Sequence, residues 1–257
     1  MPEFCSVERD GQLLVVTIRR PERMNALHPA ASQELSDVFD EFEADAELWV
    51  AIVTGAGDRA FCAGNDLKYH AETGHLAASE KGFGGLTSRF GCVKPLIAAV
   101  NGIAMGGGFE IALACDLIIA SERASFALSE PRVGIAALAG GLHRLPRQIG
   151  LKQAMGMLLT GRSVDAQEAH RLGLVNEVVS HAELLPAARR WAAQILACAP
   201  LSVRASKQAA MRGLEAAGLE AAISGRYEQI GLMLGSEDLM EGARAFAQKR
   251  KPAWKGR

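Results

Sequence analysis

The sequence predicts an α/β fold with strands covered on both faces, followed by a helical last third. Three observations carry this. Short, continuous apolar runs at 49–54, 95–100 and 117–120 are bounded by turn residues, as strands buried on both sides require. Helical periodicity separates them: Leu35, Val38, Phe39 and Phe42 fall at i, i+3, i+4 and i+7. From about residue 140 onward, the patterns are almost all helical. The balance of 257 residues, 49% apolar and 22% charged, is that of a globular chain long enough to bury a large core.

Taken in order, 4–8 and 13–19 form a hairpin around Asp10-Gly11, a strong two-residue turn signal. A loop holding Asn25-Ala26-Leu27 leads to a helix over 30–44, and the strand at 49–54 ends at Gly55-Ala56-Gly57-Asp58. Residues 71–85, with four glycines, read as a mobile surface segment. The strand at 95–100 ends at Asn101-Gly102, and 117–120 supplies the next. Helices are expected over 140–150, 152–159, 165–172, 182–197 and 201–234, with a last one from Ser236, whose acidic first turn suits the helix dipole. The chain divides into a core over 1–195 and a helical region over 196–257.

Composition excludes several classes. A net charge of -1 argues against a nucleic-acid grip, since 28 Lys+Arg against 29 Asp+Glu do not guarantee the basic surface that phosphates need. The longest apolar stretch, 96–120, contains Asn101, three consecutive glycines, Glu110 and Asp116, which hydrocarbon would penalise, so no membrane span is expected. Five cysteines without a Cys-x-x-Cys pair, and no secretory signal, fit packing residues in a reducing, cytoplasmic setting. The six histidines show no metal-ligand spacing, so no metal is expected.

Chemistry concentrates in three places. Asn101 to Glu110 places Gly106-Gly107-Gly108 between a buried strand and an apolar helix, leaving backbone N–H groups free at the helix start. Glu110 lies in that helix's first turn, and Glu130 follows the next strand. Two carboxylates beside a donor-rich helix start make a candidate acid/base pair, because repulsion separates their pKa values. The third place is Phe61 to Lys68, where Gly64 among small residues suits a turn with exposed amides.

Together with Ala124 to Glu130 and the ending Ala245 to Pro252, these segments resemble the crotonase, or enoyl-CoA hydratase/isomerase, superfamily along essentially the whole chain. The resemblance implies a spiral of repeated β-β-α units and a C-terminal helical region that builds trimers or dimers of trimers. It implies an acyl-CoA substrate whose thioester oxygen is held by the backbone N–H groups of Asn65 and Gly107. It also implies that Glu110 activates water for addition at Cβ, while Glu130 handles the proton at Cα. Ala63, Asp66, Leu67, Lys68 and Lys249 match CoA-binding positions, and no cofactor beyond the CoA of the substrate is implied. The expected reaction is reversible hydration of a 2-enoyl-CoA, as in fatty acid metabolism. The Ala63 to Lys68 segment, the glycine-rich 82–87 and the ending 252–257 are also similar to carnitinyl-CoA dehydratases. Double-bond isomerisation and non-catalytic CoA-thioester binding are the other readings. Where many relatives have Pro-x-x-Gly-Gly after the second glutamate, this chain has Gly134 to Gly141, a different acyl-pocket wall.

Overall fold

The computed structural model describes residues 2–257. It opens with an antiparallel hairpin, β1 (Cys5–Asp10) and β2 (Leu13–Ile18). Asp10 pairs with Leu13, so the turn is Gly11-Gln12, one residue later than the Asp-Gly signal predicts, with the positive φ at Gly11. Helix α1 (Pro29–Ala44) is started by the His28 side chain, which accepts the Ala31 amide, and it buries Leu35, Val38, Phe39 and Phe42.

A repeating unit then builds the core. A long strand joins one sheet, a short strand joins a second, and a helix follows. The first turn is β3 (Val50–Gly55), β4 (Ala60–Cys62) and α2 (Leu67–Thr73). The second is β5 (Leu96–Val100), β6 (Ile103–Met105) and α3 (Gly107–Ala114). The third is β7 (Leu117–Ser121), β8 (Ser125–Ala127), a 3-10 turn over Glu130–Val133 and α4 (Gly141–Ile149). Helix α5 (Leu151–Thr160), β9 (Val164–Asp165), α6 (Ala166–Arg171), β10 (Glu177–Val179) and α7 (Leu184–Leu196) complete it. The large sheet has the order β1-β2-β3-β5-β7-β10 and is parallel from β2 onward; the small one has the order β4-β6-β8-β9. This is the spiral of β-β-α units.

Parallel strands need helical cover on both faces, and two apolar clusters supply it. One joins Val16, Val53 and Ala98 to α1, α3 and α4 through Phe39, Phe109 and Leu145. The other seats Leu184, Ala188 and Ala192 of α7 on Val15, Ile52 and Ile97 of the opposite face. Asn101, between β5 and β6, fixes the step from large to small sheet: its side chain accepts the Gly55 amide and donates to the Gly57 and Ala60 carbonyls.

Two expectations are corrected. The helix expected over 201–234 is three: α8 (Pro200–Gly213), α9 (Leu219–Ile223) and α10 (Glu228–Leu234). Gly213, Gly218 and Gly225 interrupt the pattern, and buried Gln208 accepts the Gln229 amide at 2.9 Å, folding α10 back on α8. A final helix, α11 (Glu237–Ala247), is capped by Ser236. Nor is 71–85 one surface segment. Its first residues belong to α2, and Phe83–Gly85 is a buried 3-10 turn packed on α1, with the Gly84 amide on Ser32 Oγ at 2.9 Å. Among the described residues, no helix is long and apolar enough to cross a membrane.

Candidate active site

The site forms where the small strands of the spiral end and their helices begin. Helix α3 starts straight after β6, so Gly106-Gly107-Gly108 is both strand exit and helix entry. Its first amides have no intrahelical partner. Among the described residues, neither the Gly107 amide nor the Asn65 amide has a backbone or side-chain acceptor. Gly64 brings the two together. It adopts φ 89, and a Cβ there would stand 2.7 Å from the Met105 carbonyl oxygen and 3.1 Å from the Gly107 nitrogen. The 64–66 segment is fixed by Leu27, which donates to the Gly64 carbonyl and accepts the Asp66 amide, both at 2.8 Å. Two unused donors on rigid backbone are thus set side by side.

Glu110, 2% exposed, lies one helical turn inside α3. Its Oε1 accepts the Gly141 amide at 2.8 Å, so the start of α4 orients it. Burial pushes its pKa up to about 7; Glu130's charge adds to this, while the Gly141 and Ala139 amides and Arg144 pull the other way. Glu130, 7% exposed, opens the 3-10 turn after β8. Burial raises its pKa as well, and its Oε2 is buried without a hydrogen-bond partner among the described residues. A Cβ on Gly106 would lie 2.9 Å from Glu130 Oε1, so the second carboxylate rests on the same bare backbone that presents the Gly107 amide. The structure therefore gathers Asn65, Gly107, Glu110 and Glu130 into one place.

The remaining predicted residues divide. Ala63 is half-buried beside Gly64, and Leu67 and Lys68 are exposed on the first turn of α2, next to the site. Asp66 is occupied structurally: it caps α2 by accepting the Tyr69 amide and pairs with Arg20 at 3.1 Å. Burial alone would raise its carboxyl, but the Tyr69 amide and the Arg20 guanidinium outweigh that and hold it below the ordinary range. Lys249 follows α11, which packs on α10.

Sequence reasoning placed Phe83 and Gly141 only within segments of family resemblance, without their contacts to Gly107 and Glu110, and missed Arg144. The Phe83 ring covers Gly107 so closely that a Cβ there would sit 2.6 Å from it. Only the glycine pair at the start of α4 signals that Gly141 brings backbone close, since its Cβ would meet Glu110 Oε1 at 3.1 Å. A cavity of about 310 Å³ opens elsewhere, between Thr17, Thr54, Asn101 and His181, and includes neither glutamate. Among the described residues, no group of three or more His, Cys, Asp or Glu side chains is arranged to hold a metal ion.

Comparison with known proteins gives the family and the fold. Residues 8–257 match the family model described as enoyl-CoA hydratase/isomerase. The chain is 47% identical to the carnitinyl-CoA dehydratase of Proteus mirabilis and 45% identical to that of Escherichia coli K12, each over 100% of both chains. Its structure is similar to an enoyl-CoA hydratase from Mycobacterium tuberculosis H37Rv, with TM-score 0.91, 40% identity and 99% of each chain covered. It is also similar to a probable enoyl-CoA hydratase/isomerase from Mycobacterium abscessus, with TM-score 0.92, 41% identity and 100% of each chain covered.

Proposed function

The chain belongs to the enoyl-CoA hydratase/isomerase family, and from that premise we propose that it is a hydro-lyase adding water reversibly across the double bond of a 2-enoyl-CoA. The observation that carries this reading is the pair of buried glutamates, both with raised pKa, beside two amides that have no acceptor.

The thioester oxygen accepts hydrogen bonds from the Asn65 and Gly107 amides. Charge flowing onto that oxygen as the Cα–Cβ bond polarises meets donors already in position, commonly the largest single contribution to such catalysis. Glu110, ionised, takes a proton from water as its oxygen bonds to Cβ; Glu130, protonated, delivers its proton to Cα. The two carboxyls exchange roles in the reverse direction, and one proton shared between them serves both. With Glu110 near 7, the pair carries a single proton around neutral pH. Its resting place on Glu110 is the form from which dehydration starts, and hydration starts from the form with that proton on Glu130. The CoA portion contributes binding energy that positions the reacting carbons, with Ala63, Leu67, Lys68 and Lys249 as its contacts. CoA enters as part of the substrate, and the reaction as written uses no further cofactor.

A second reading concerns the acyl group. Full-length relatives at 44–47% identity are carnitinyl-CoA dehydratases, and the same two carboxyls run in the dehydration direction would serve a carnitinyl thioester. The exposed apolar side chains Leu214, Leu219, Ile223 and Phe246 on and beside α8–α11 support assembly of this region with further copies, as a trimer or dimer of trimers. The test is to supply crotonyl-CoA, crotonobetainyl-CoA and a 3-enoyl-CoA in heavy-oxygen water. Hydration places the heavy atom on Cβ of the product. Double-bond migration without heavy-oxygen incorporation would replace this reading with an isomerase.

A further inference from the structure

The guanidinium of Arg144 folds back over the first turn of α4. A Cβ on Gly140 would collide with its Nη1, and Gly140, at φ 108, leaves that space open. Nη2 donates to the Thr87 carbonyl at 2.9 Å, and the group lies 5.5 Å from the Phe90 ring centroid. Thr87 Oγ1 in turn accepts the Phe83 amide at 2.8 Å, and the Phe83 ring bears on Gly107. At the start of the same helix, Gly141 holds Glu110. One side chain therefore joins the helix that orients a carboxylate to the segment that packs on an oxyanion amide.

The charges around it are few. Glu110 is faced by Glu130 and Arg144; Arg144 is faced by Glu110 and by Cys115, whose buried thiol is pushed far up and stays neutral. Arg89, on the same segment as Thr87, is paired with Asp40 at 2.7 Å and with Glu43. His143 and Arg147 of α4 are exposed. Arg144 is thus the cation that Glu110 senses.

We propose that Arg144 is a positioning residue for hydration, locking the 83–87 turn over Gly107 and supplying the positive charge that favours ionised Glu110. This rests on the hydration reading above. Loss of the group acts twice, through geometry and through charge, and the two effects separate by variant.

With crotonyl-CoA, Arg144→Gln should lower kcat about 10- to 100-fold, change KM less, and move the acid limb of the pH profile upward. Arg144→Lys retains charge without the planar fork, so its acid limb should stay near wild type while kcat stays low. Thr87→Val should lower kcat and leave the limb in place. Carbon-13 NMR of glutamate-labelled protein, with Glu110 assigned through Glu110→Gln, reads the charge effect without turnover: its titration midpoint should rise in Arg144→Gln and not in Arg144→Lys. An unmoved midpoint in Arg144→Gln, or identical profiles for the Gln and Lys variants, overturns the assignment even if the protein hydrates enoyl-CoA. A raised midpoint in a protein that hydrates no enoyl-CoA sustains the charge coupling and overturns the hydration reading instead.

Discussion

Glu130 Oε1 lies against the backbone of Gly106, where a Cβ would stand only 2.9 Å away. The carboxylate thus sits beside the residue that precedes an oxyanion amide. That contact joins two parts of the chemistry: the proton for Cα and the donor that stabilises charge as the proton arrives. It also explains why bulk cannot enter the turn without displacing a reacting group.

Replacing either carboxyl should therefore stop turnover while sparing the fold. Glu110→Gln and Glu130→Gln are each expected to lower kcat roughly 10²- to 10⁴-fold with crotonyl-CoA. Circular dichroism and equilibrium binding of a CoA thioester should be close to wild type. Full activity in either variant would remove that residue from the mechanism.

Stability should depend on pH in a defined direction. Glu110's folded pKa, about 7, lies above the ordinary glutamate value of 4.5. The folded state therefore holds the proton where the unfolded chain releases it. The group destabilises the fold progressively from about pH 4.5 to 7 and by a constant amount above that. Glu110→Gln should unfold close to wild type at the acid end of this window and at higher denaturant above it, by up to about 3 kcal/mol. A difference that shrinks as pH rises would contradict the raised pKa.

The oxyanion turn tolerates no side chain. Gly107→Ala would drive a methyl into the Phe83 ring, at 2.6 Å, and Gly64→Ala adds strain at φ 89. Each should cost about 2–4 kcal/mol of barrier if it displaces one donor. Phe83 is a side chain that can yield, so Phe83→Leu should recover part of the activity lost in Gly107→Ala, and none of that lost in Gly64→Ala. Steady-state kinetics of the two double variants decides this.

The C-terminal tail is tied by Asp238, 2% exposed, which accepts the Lys255 and Gly256 amides, both at 2.8 Å. Asp238→Ala leaves both donors unpaired and should cost about 1–3 kcal/mol. Hydrogen exchange should quicken over 237–257 first. Uniform loss of protection across the chain would show that the tail is not a separate unit.

The legible parts of the fold were those set by local pattern. Buried strands β3, β5 and β7 announce themselves as continuous apolar runs, and the glycine turn before α3 marks bare backbone at a helix start. Glu110 stands out as a carboxylate in an apolar helix start, whereas Glu130, in a loop before Pro131, reads alone as an exposed charge and gains its role from the family resemblance. What stayed hidden depends on contacts between distant segments. Phe83 is one apolar residue among glycines until Gly107, a later turn of the spiral, comes up against it. Arg144 looks like an exposed helix charge until Gly140 lets it fold back toward Thr87. The break between α8 and α10 hinges on Gln208 reaching the Gln229 amide, a tertiary contact that helical periodicity does not encode.

The most direct test of the central claim is the loss of conjugated enoyl-thioester absorbance when the protein meets crotonyl-CoA, with crotonobetainyl-CoA in parallel, for wild type and Glu110→Gln. The account predicts rapid loss with at least one thioester in wild type and roughly 10²-fold or greater slowing in the variant. Equal rates in the two proteins, or stable absorbance with both thioesters in wild type, would contradict it.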